Sequence, residues 1–357
     1  MHLLTDLLVV ETASVLAGPA VGMFFAESGA RVVKIENGRA GGDVTRTWKL
    51  PDEDRSSPVS AYFSSVNWGK EHLLLDLKDP ADRERLHELL KHADVLISNH
   101  MASDAEKLGL DRDRLRTLNS KLVHGHIKGY ASETGRAAYD VVLQAETGYI
   151  SMTGTDEDAP AKLPIAMIDV LAAHQLKEGL LLALLQRERT GRGAYVEVSL
   201  EEAALTGLIN QASNFLMQGH VARPIGTLHP NIAPYGETFR CAGGERMLVA
   251  VGSDRQFLAL CDVLDLPGMK EDPRFTSNTQ RVRNRAELAE MLRDRIEVHD
   301  RDHLLSLLKK AGVPAGAVLA MDEVMSTSTA KEMIAEQEID GRPTRRIRGN
   351  AFRLEEL

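Results

Sequence analysis

The chain has 357 residues, with 43 Lys and Arg against 52 Asp and Glu, and therefore a formal net charge of −9. A chain of this length exceeds one typical compact core and predicts two domains. The negative charge and an aromatic content of 4% argue against a general binder of nucleic-acid backbones and against a stacking platform for single strands.

The two cysteines, Cys241 and Cys261, show neither the spacing of a metal site nor that of a disulfide framework, which fits a reducing compartment. No stretch of the sequence approaches the roughly 18 consecutive apolar residues of a membrane span. The first residues lack the basic and then apolar pattern of a secretion signal. We therefore expect a cytoplasmic protein without a membrane or nucleic-acid partner.

Short apolar runs alternate with helical patterns over the first 200 residues, which is typical of a mostly parallel sheet covered by helices. Asp79 and Pro80 form a strong helix start, because an aspartate caps the helix and proline suits its first turn. The elements predicted in this part are strand 7–10, helix 19–28, strand 31–35, strand 72–76, helix 80–92, strand 95–98, helices 104–107 and 111–118, and strand 122–127.

The clearest single element is a helix over 170–189, which ends at a glycine stop in the Thr190–Gly193 segment. From Pro224 to Gly244 the sequence is interrupted by Pro and Gly, which predicts that a second, smaller α+β domain follows. In that domain Asn284 is expected to cap a helix. The remaining predicted elements are strand 194–198, helix 201–218, strand 247–251, helices 255–264, 285–296 and 302–311, and a helix with an extended tail over 321–357.

Familiar catalytic and nucleotide-binding motifs are missing from the sequence. There is no G-x-x-x-x-G-K-[ST] phosphate loop, no H-E-x-x-H and no G-x-S-x-G. The turn after the first strand lacks the G-x-G-x-x-G with which a backbone approaches a pyrophosphate. Glu36 ends the second strand, where dinucleotide folds carry a ribose-binding acid, but without the glycines nicotinamide binding is disfavoured.

Histidines offer little support for a metal site. His124 and His126 alternate on one predicted strand and share a face, which favours a polar or packed strand face over metal ligation because a third ligand is missing. His229 lies in a loop rich in Pro and Gly, where a site residue and a merely exposed residue are equally expected.

Asp169 is the carboxylate of greatest interest, because it follows an apolar run and precedes the long helix. One interpretation makes it the helix cap, the common role of an aspartate at this place. The other uses the helix N-terminus to keep Asp169 ionised at neutral pH, so that it can act as a nucleophile toward an activated acyl group. Position alone leaves both interpretations open and favours the cap.

A set of weak motifs follows in a fixed order along most of the chain. They are Leu16–Pro19, Ser28–Glu36, Gly42–Arg46, Asn67–Lys70, Leu73–Leu77, Ala93–Asn99, Lys107–Leu110, Gly129–Tyr130, Tyr139–Gly148, Asp169 with Arg189–Gly193, His229–Pro230, Ala233–Gly236 and Gly312–Gly316. In this order, from about residue 7 to residue 330, they resemble the class III coenzyme A transferases, the CaiB/BaiF family that includes formyl-CoA transferase.

The resemblance implies an open, Rossmann-like α/β fold with a smaller α+β domain. It implies a large CoA-binding domain over 1–222, a small domain over 223–322, and a returning segment over 323–357 that is shorter than in relatives. It also implies a homodimer whose two subunits interlock like rings.

The implied activity is transfer of CoA from an acyl-CoA donor to a carboxylic acid. The aspartate at the position of Asp169 attacks the donor thioester, and the mixed anhydride is converted by CoA into an aspartyl thioester, which the acceptor acid then attacks. Because the acyl group stays activated, no ATP is required. The resemblance implies CoA and acyl-CoA as substrates, with neither a permanently bound cofactor nor a metal.

The resemblance also implies roles for other residues. Leu16 and Ala17 line the thioester, and backbone N–H groups of their turn are available to a developing oxyanion. Tyr139 and His229 match positions beside the acyl group. The remaining matches are to CoA contacts, at Val15, Leu75, Asn99, His100 and Lys107.

Two other functions stay open. An acyl-CoA racemase or epimerase of the same superfamily removes the proton alpha to the thioester and needs a base on each face. The racemase branch places a histidine directly before the residue that matches Asp140, and here Tyr139 stands there, a poor base at neutral pH. The second alternative is a CoA-binding relative without catalysis, and the presence of Asp169 argues against it.

Overall fold

The structure is a computed structural model that describes residues 3–132 and 135–355, and its chain divides into two compact units. The first unit holds the described residues up to Tyr149, Lys162–Val221, and those from Glu332 onward. The second holds Ile150–Ala161 and Ala222–Lys331. The sequence did not indicate that the short segment Ile150–Ala161 joins the second unit.

A six-stranded parallel sheet forms the centre of the first unit. Its strand order is β3-β2-β1-β4-β5-β6, which is the doubly wound order of dinucleotide-binding folds. The strands are β1 (Leu8–Glu11), β2 (Arg31–Asn37), β3 (Glu71–Leu75), β4 (Val95–Ser98), β5 (Val123–Lys128) and β6 (Ala194–Ser199). The expected α/β fold is confirmed, and β3 lies at one edge of the sheet.

Helices cover both faces of this sheet. On one face α1, α8 and α9 pack against β1, β4 and β5, and on the other α3 and α5 form a separate apolar cluster. The helices of the first part of the chain are α1 (Ala17–Glu27), α2 (Ala61–Val66), α3 (Pro80–His92), α4 (Ala102–Leu108), α5 (Arg112–Leu118), α6 (Asp140–Glu146), α7 (Tyr149–Met152), α8 (Met167–Thr190), α9 (Leu200–Gly207) and α10 (Ile209–Gln218).

The helix predicted over 201–218 is broken into α9 and α10. Ile209 adopts a φ of +41°, a conformation that a β-branched residue enters only when its surroundings impose it. The cap of α3 agrees with the sequence, because the Asp79 carboxylate accepts hydrogen bonds from the backbone N–H groups of Ala81 and Asp82.

The second unit is a smaller α+β assembly around its own core. Asn284 stands before α14 as predicted, but its side chain donates to the carbonyls of Arg274 and Gln280 instead of accepting from the helix, so the expected cap is wrong. Its antiparallel sheet has the order β7-β8-β9. The elements are β7 (Tyr235–Arg240), β8 (Arg246–Ala250), α11 (Asp254–Val263), α12 (Pro267–Glu271), α13 (Asn278–Arg283), α14 (Arg285–Ile296), α15 (Arg301–Lys310), β9 (Ala315–Ala317) and α16 (Met321–Ser326).

The helix predicted at the start of 321–357 is present as α16, but a hairpin takes the place of much of the predicted extended tail. After α17 (Ser328–Met333), β10 (Ile334–Ile339) and β11 (Arg342–Ile347) form an antiparallel hairpin. The hairpin belongs to the first unit, where Arg346 pairs with Glu27 of α1. Among the residues that the structure describes, no helix is long and apolar enough to span a membrane.

Candidate active site

A cavity of about 550 Å³ opens at the carboxyl ends of β1, β4, β5 and β6. In open α/β sheets, ligands bind outside this edge of the strands, at the point where the strand order reverses. Here that point lies between β1 and β4. Seven of the residues singled out in the sequence line this cavity, namely Val15, Leu16, Ala17, Asn99, His100, Tyr139 and Asp169.

Asp169 lies in the first turn of α8 and is 8% exposed. It is not the cap of its helix, because the N-cap position belongs to Ala166, which offers no side-chain acceptor. The cap comes from elsewhere. Asp140, at the start of α6, accepts hydrogen bonds through Oδ2 from the backbone N–H groups of Ile168 (2.7 Å) and Asp169 (3.2 Å).

Gln144 holds Asp140 in this position. Its side-chain amide donates to Asp140 Oδ1, and its carbonyl oxygen accepts the N–H of Leu163 at 2.8 Å, so one buried glutamine ties α6 to the segment that leads into α8. Sequence reasoning missed this function of Asp140, since the cap and the capped helix are 28 residues apart. The one sequence feature that could have drawn attention to Asp140 is its place in the motif Tyr139–Gly148.

Burial, and after it the negative charge of Asp140, raise the pKa of Asp169 to about 7. The expectation that the helix N-terminus keeps Asp169 fully ionised at neutral pH is therefore wrong for this structure. The N–H groups that would stabilise its charge donate to Asp140 instead. Near pH 7 the Asp169 carboxyl is consequently divided between its acid and its carboxylate.

Tyr62 faces the same carboxylates, although sequence reasoning did not single it out. Burial, followed by the charges of Asp169, Asp140 and Asp43, raises the pKa of Tyr62 to about 12. The phenol therefore keeps its proton at neutral pH and is a hydrogen-bond donor there. Its ring packs edge-on against Trp48, with centroids 5.1 Å apart.

The turn between β1 and α1 forms the neighbouring wall of the cavity. Asn99 is bound to the backbone of this turn, because its Oδ1 accepts the N–H of Ser14 (3.2 Å) and its Nδ2 donates to the Ser14 carbonyl (3.1 Å). Leu16 is the N-cap residue of α1 and Ala17 its first residue. Backbone N–H groups in a first helical turn have no acceptor within their own helix, so this turn can offer them to a ligand.

A group of polar rings lies at the end of the cavity near β5 and β6. Ser98 Oγ is 2.8 Å from His124 Nε2 and 2.9 Å from His126 Nδ1, which agrees with the predicted polar strand face. Burial lowers the pKa of His124 to about 3 and that of His126 to about 4, so both rings are neutral. Throughout the described ranges, no group of three His, Cys, Asp or Glu side chains is arranged to hold a metal ion.

Three basic side chains at the cavity were also missed, namely Arg112, Lys128 and Arg136. The guanidinium of Arg112 lies 3.5 Å from the centroid of the Tyr195 ring, and Lys128 is 2.7 Å from Glu197. Arg112 lies at the start of the predicted helix 111–118, and Lys128 directly follows the predicted strand 122–127. Their position at the carboxyl edge of the sheet was the signal that could have identified them.

The other predicted contacts lie outside the lining of this cavity. Leu75 is 1% exposed and packs in the core beneath the sheet. Lys107 is exposed in the last turn of α4, where it pairs with Asp104 at 3.1 Å. His229 belongs to the second unit, where its ring packs edge-on against Tyr235. Their roles toward CoA and the acyl group stay predictions.

Glu36, the one feature that suggested a dinucleotide, is already fully engaged. Its carboxylate pairs with Arg46 (2.6 Å) and His72 (2.8 Å) and accepts the N–H of Asp43. These donors outweigh burial and hold the pKa of Glu36 well below its usual range. Such a carboxylate is not available to a ribose.

Comparison with known proteins assigns this architecture to a family. The sequence model described as CoA-transferase family III matches residues 4–355. The chain belongs to CoA-transferase family III. It is therefore an enzyme, a CoA-transferase whose substrates are CoA thioesters and carboxylic acids, and the predicted resemblance is confirmed.

Individual relatives agree with this assignment. The chain is 33% identical to a succinate–glutarate CoA-transferase of Agrobacterium fabrum, over 90% of this chain and 82% of the relative. It is also 33% identical to an acetyl-CoA:oxalate CoA-transferase of Acetobacter aceti, over 92% and 84% of the two chains. A crystal structure of a CaiB/BaiF family protein from Brucella suis is 34% identical and superposes with a TM-score of 0.87, covering 98% of this chain and 92% of that one.

The cap that Asp140 provides predicts a measurable stability effect. At pH 5.5, where the raised pKa leaves Asp169 mostly protonated, Asp140→Ala should lower the free energy of unfolding by about 1 kcal/mol, within the usual 0.5–2 kcal/mol for a lost cap. Asp140→Asn keeps an oxygen acceptor and should lose less. Urea unfolding of both variants checks this, and equal stability of Asp140→Ala and wild type would contradict the cap.

Proposed function

We propose that this CoA-transferase works through covalent intermediates on Asp169. The observation that carries the proposal is the position of this carboxyl, which is buried in the wall of the cavity beside the first turn of α1. A carboxylate that burial makes more basic is also a better nucleophile, provided that it loses its proton. The pKa near 7 meets both requirements around neutral pH.

The proposed first half of the reaction releases the donor acid. An Asp169 oxygen attacks the thioester carbonyl carbon and the C–S bond breaks. CoA departs as its thiolate, and the acyl group remains on Asp169 as a mixed anhydride. The thiolate then attacks the Asp169 carbonyl carbon, which breaks the anhydride C–O bond, frees the donor as its carboxylate and leaves an aspartyl-CoA thioester. The second half repeats these steps in reverse with the acceptor carboxylate and restores Asp169.

Other residues have proposed parts in these steps. N–H groups of the turn at Leu16 and Ala17 stabilise the oxyanion that forms at each attacked carbonyl. Tyr62 keeps its proton and can donate to the same region, and Tyr139 and His229 are assigned to the acyl group. We assign CoA contacts to Val15, Leu75, Asn99, His100 and Lys107.

Basic side chains at the cavity offer contacts for the CoA phosphates. Arg112, Lys128 and Arg136 line it, and the two first-named share one carboxylate, that of Glu197. Arg136 pairs in turn with Glu146. Arginine and lysine both bind phosphates, so these three side chains are the candidate phosphate contacts. We propose that 1–222 is the CoA-binding domain, 223–322 the small domain and 323–357 the returning segment.

The substrates that we propose are short dicarboxylic acids and their CoA esters. The proposal follows the relatives from Agrobacterium fabrum and Acetobacter aceti, which are named for succinate, glutarate and oxalate. No permanently bound cofactor is required by the proposed steps, and we place the reaction in the cytoplasm. Succinyl-CoA with glutarate is the first pair to be tested.

Trapping tests the covalent step directly. Wild-type enzyme incubated with succinyl-CoA and then treated with hydroxylamine should give a hydroxamate that peptide mass spectrometry places on Asp169, while Asp169→Ala should lose both the adduct and the transfer. Asp113→Ala, which changes an exposed aspartate, serves as the control and should keep both the adduct on Asp169 and the transfer activity. Exchange of the alpha hydrogen for deuterium without an adduct would instead support a racemase, and neither signal would support a relative without catalysis.

The raised pKa of Asp169 predicts the pH dependence of transfer. Only the carboxylate attacks, so kcat/KM should rise with pH and reach half of its plateau near pH 7. Asp140→Asn removes the nearby negative charge, lowers the pKa of Asp169 and should move this midpoint to lower pH. A midpoint that stays in place in Asp140→Asn would contradict the coupling of the two carboxylates.

We also propose that the enzyme is a homodimer of interlocked subunits. Large apolar side chains are exposed on α8, at Leu182 (68%), and on α10, at Ile209 (73%), Leu216 (80%) and Met217 (76%). Large apolar side chains that are exposed in the single chain are candidates for burial in a protein–protein interface.

Light scattering after size exclusion checks the assembly. The expected mass is twice the 39.2 kDa of one chain, and Leu216→Glu should shift protein toward the single-chain mass because a buried charge without a partner is costly. A wild-type mass of one chain would contradict the dimer.

A further inference from the structure

Four charged side chains are buried together beneath the turn that joins β1 to α1. Glu11 accepts from Lys34 through one carboxylate oxygen (2.9 Å) and from Lys70 through the other (2.7 Å), and Lys34 also pairs with Asp43 at 3.0 Å. All four are at most 8% exposed. Two acids and two bases make the cluster neutral as a whole, which is the condition under which buried charges are tolerated.

The cluster is bound to both ends of the turn. The ammonium group of Lys34 donates to the Ala13 carbonyl (2.8 Å), and that of Lys70 donates to the Pro19 carbonyl (2.9 Å). Between these two anchors, Asp43 Oδ2 accepts the backbone N–H of Val15 at 3.3 Å. The side of the turn that faces away from the cavity is therefore fixed at three points.

Val15 is strained within this turn. Its φ of +75° lies in the left-handed region, which a β-branched residue adopts only where the surroundings over-determine it. Strain of this kind collects at functional sites, and Val15 lines the cavity together with Leu16 and Ala17. Packing around the cluster is tight as well, because a Cβ added at Gly22 would lie 1.8 Å from Glu11 Oε2.

We propose that Glu11, Lys34, Asp43 and Lys70 are positioning residues for CoA transfer. They hold Val15 in its strained conformation and so aim the N–H groups that follow it at the thioester oxygen. The inference rests on the proposed function of the cavity. None of the four is assigned to touch the substrate; they act through the backbone of the turn.

The first test compares two variants of one residue. Val15→Ala and Val15→Gly both lack the isopropyl group. They differ in the backbone, because glycine adopts positive and negative φ about equally well and alanine does not. A loosened turn should lower kcat of Val15→Gly at least about 10-fold below that of Val15→Ala, with a smaller change in KM, because small misplacements of catalytic groups cost on the order of 100-fold. Equal kcat values in the two variants would overturn the proposal.

The second test removes part of the cluster without leaving an unpaired charge. Lys34→Met with Asp43→Asn deletes one base and one acid, while the Glu11–Lys70 pair remains. The matched control is Arg187→Met with Asp94→Asn, which removes another ion pair (2.9 Å) at the opposite edge of the sheet. The cluster variant should lose kcat on the order of 100-fold with KM changed less, and the control should keep the wild-type kcat.

Amide hydrogen exchange at residues 14–18 gives a readout that does not depend on activity. It should speed up in Val15→Gly and in the cluster variant but not in the control, and unchanged exchange would overturn the proposal. Failure of the proposed function and failure of the positioning role give different results. An inactive wild-type enzyme would refute the proposed function, whereas an active enzyme with equal Val15→Ala and Val15→Gly rates would refute only the positioning role.

Discussion

Two carboxylates compete for one helix N-terminus, and much of the site depends on how that competition is resolved. The backbone N–H groups of Ile168 and Asp169 donate to Asp140, so the capping interaction stabilises α8 through a side chain that comes from another helix. The pKa of Asp169 is raised as a result, since its carboxyl is buried without those donors and lies near a like charge. Structure and reactivity are thereby divided between two aspartates, one that fixes the helix and one whose basicity is raised.

The parallel sheet explains why these parts meet. Each strand of such a sheet ends at the same edge, and the segments that follow β1, β4, β5 and β6 all reach the cavity there. The turn after β1 is held on two sides, because Asn99 binds it from the end of β4 and the cluster of Glu11, Lys34, Asp43 and Lys70 binds it from below. A rigid turn and a basic carboxyl that line one cavity suit a reaction in which the same carbonyl chemistry is repeated in each half.

Local signals predicted much of the fold. The apolar strands, the Asp79 cap and the glycine after α8 are all encoded within a few residues, and the structure confirms them. Asp169 could be singled out in the same way. The capping role of Asp140 could not, because 28 residues separate it from the helix that it caps. The break at Ile209 and the hairpin of β10 and β11 are likewise set by tertiary packing, which local periodicity does not record.

Direct titration of the Asp169 carboxyl tests whether Asp140 takes the helix N-terminus and leaves Asp169 basic. Protein labelled with ¹³C at the aspartate carboxyl carbons can be followed by NMR across the acid and neutral range, with the Asp169 signal identified by its loss in Asp169→Asn. We expect a titration midpoint near 7, well above the ordinary aspartate value of 3.8. A midpoint at or below that ordinary value would show that α8 stabilises the Asp169 anion after all, and would contradict the division of roles between the two aspartates.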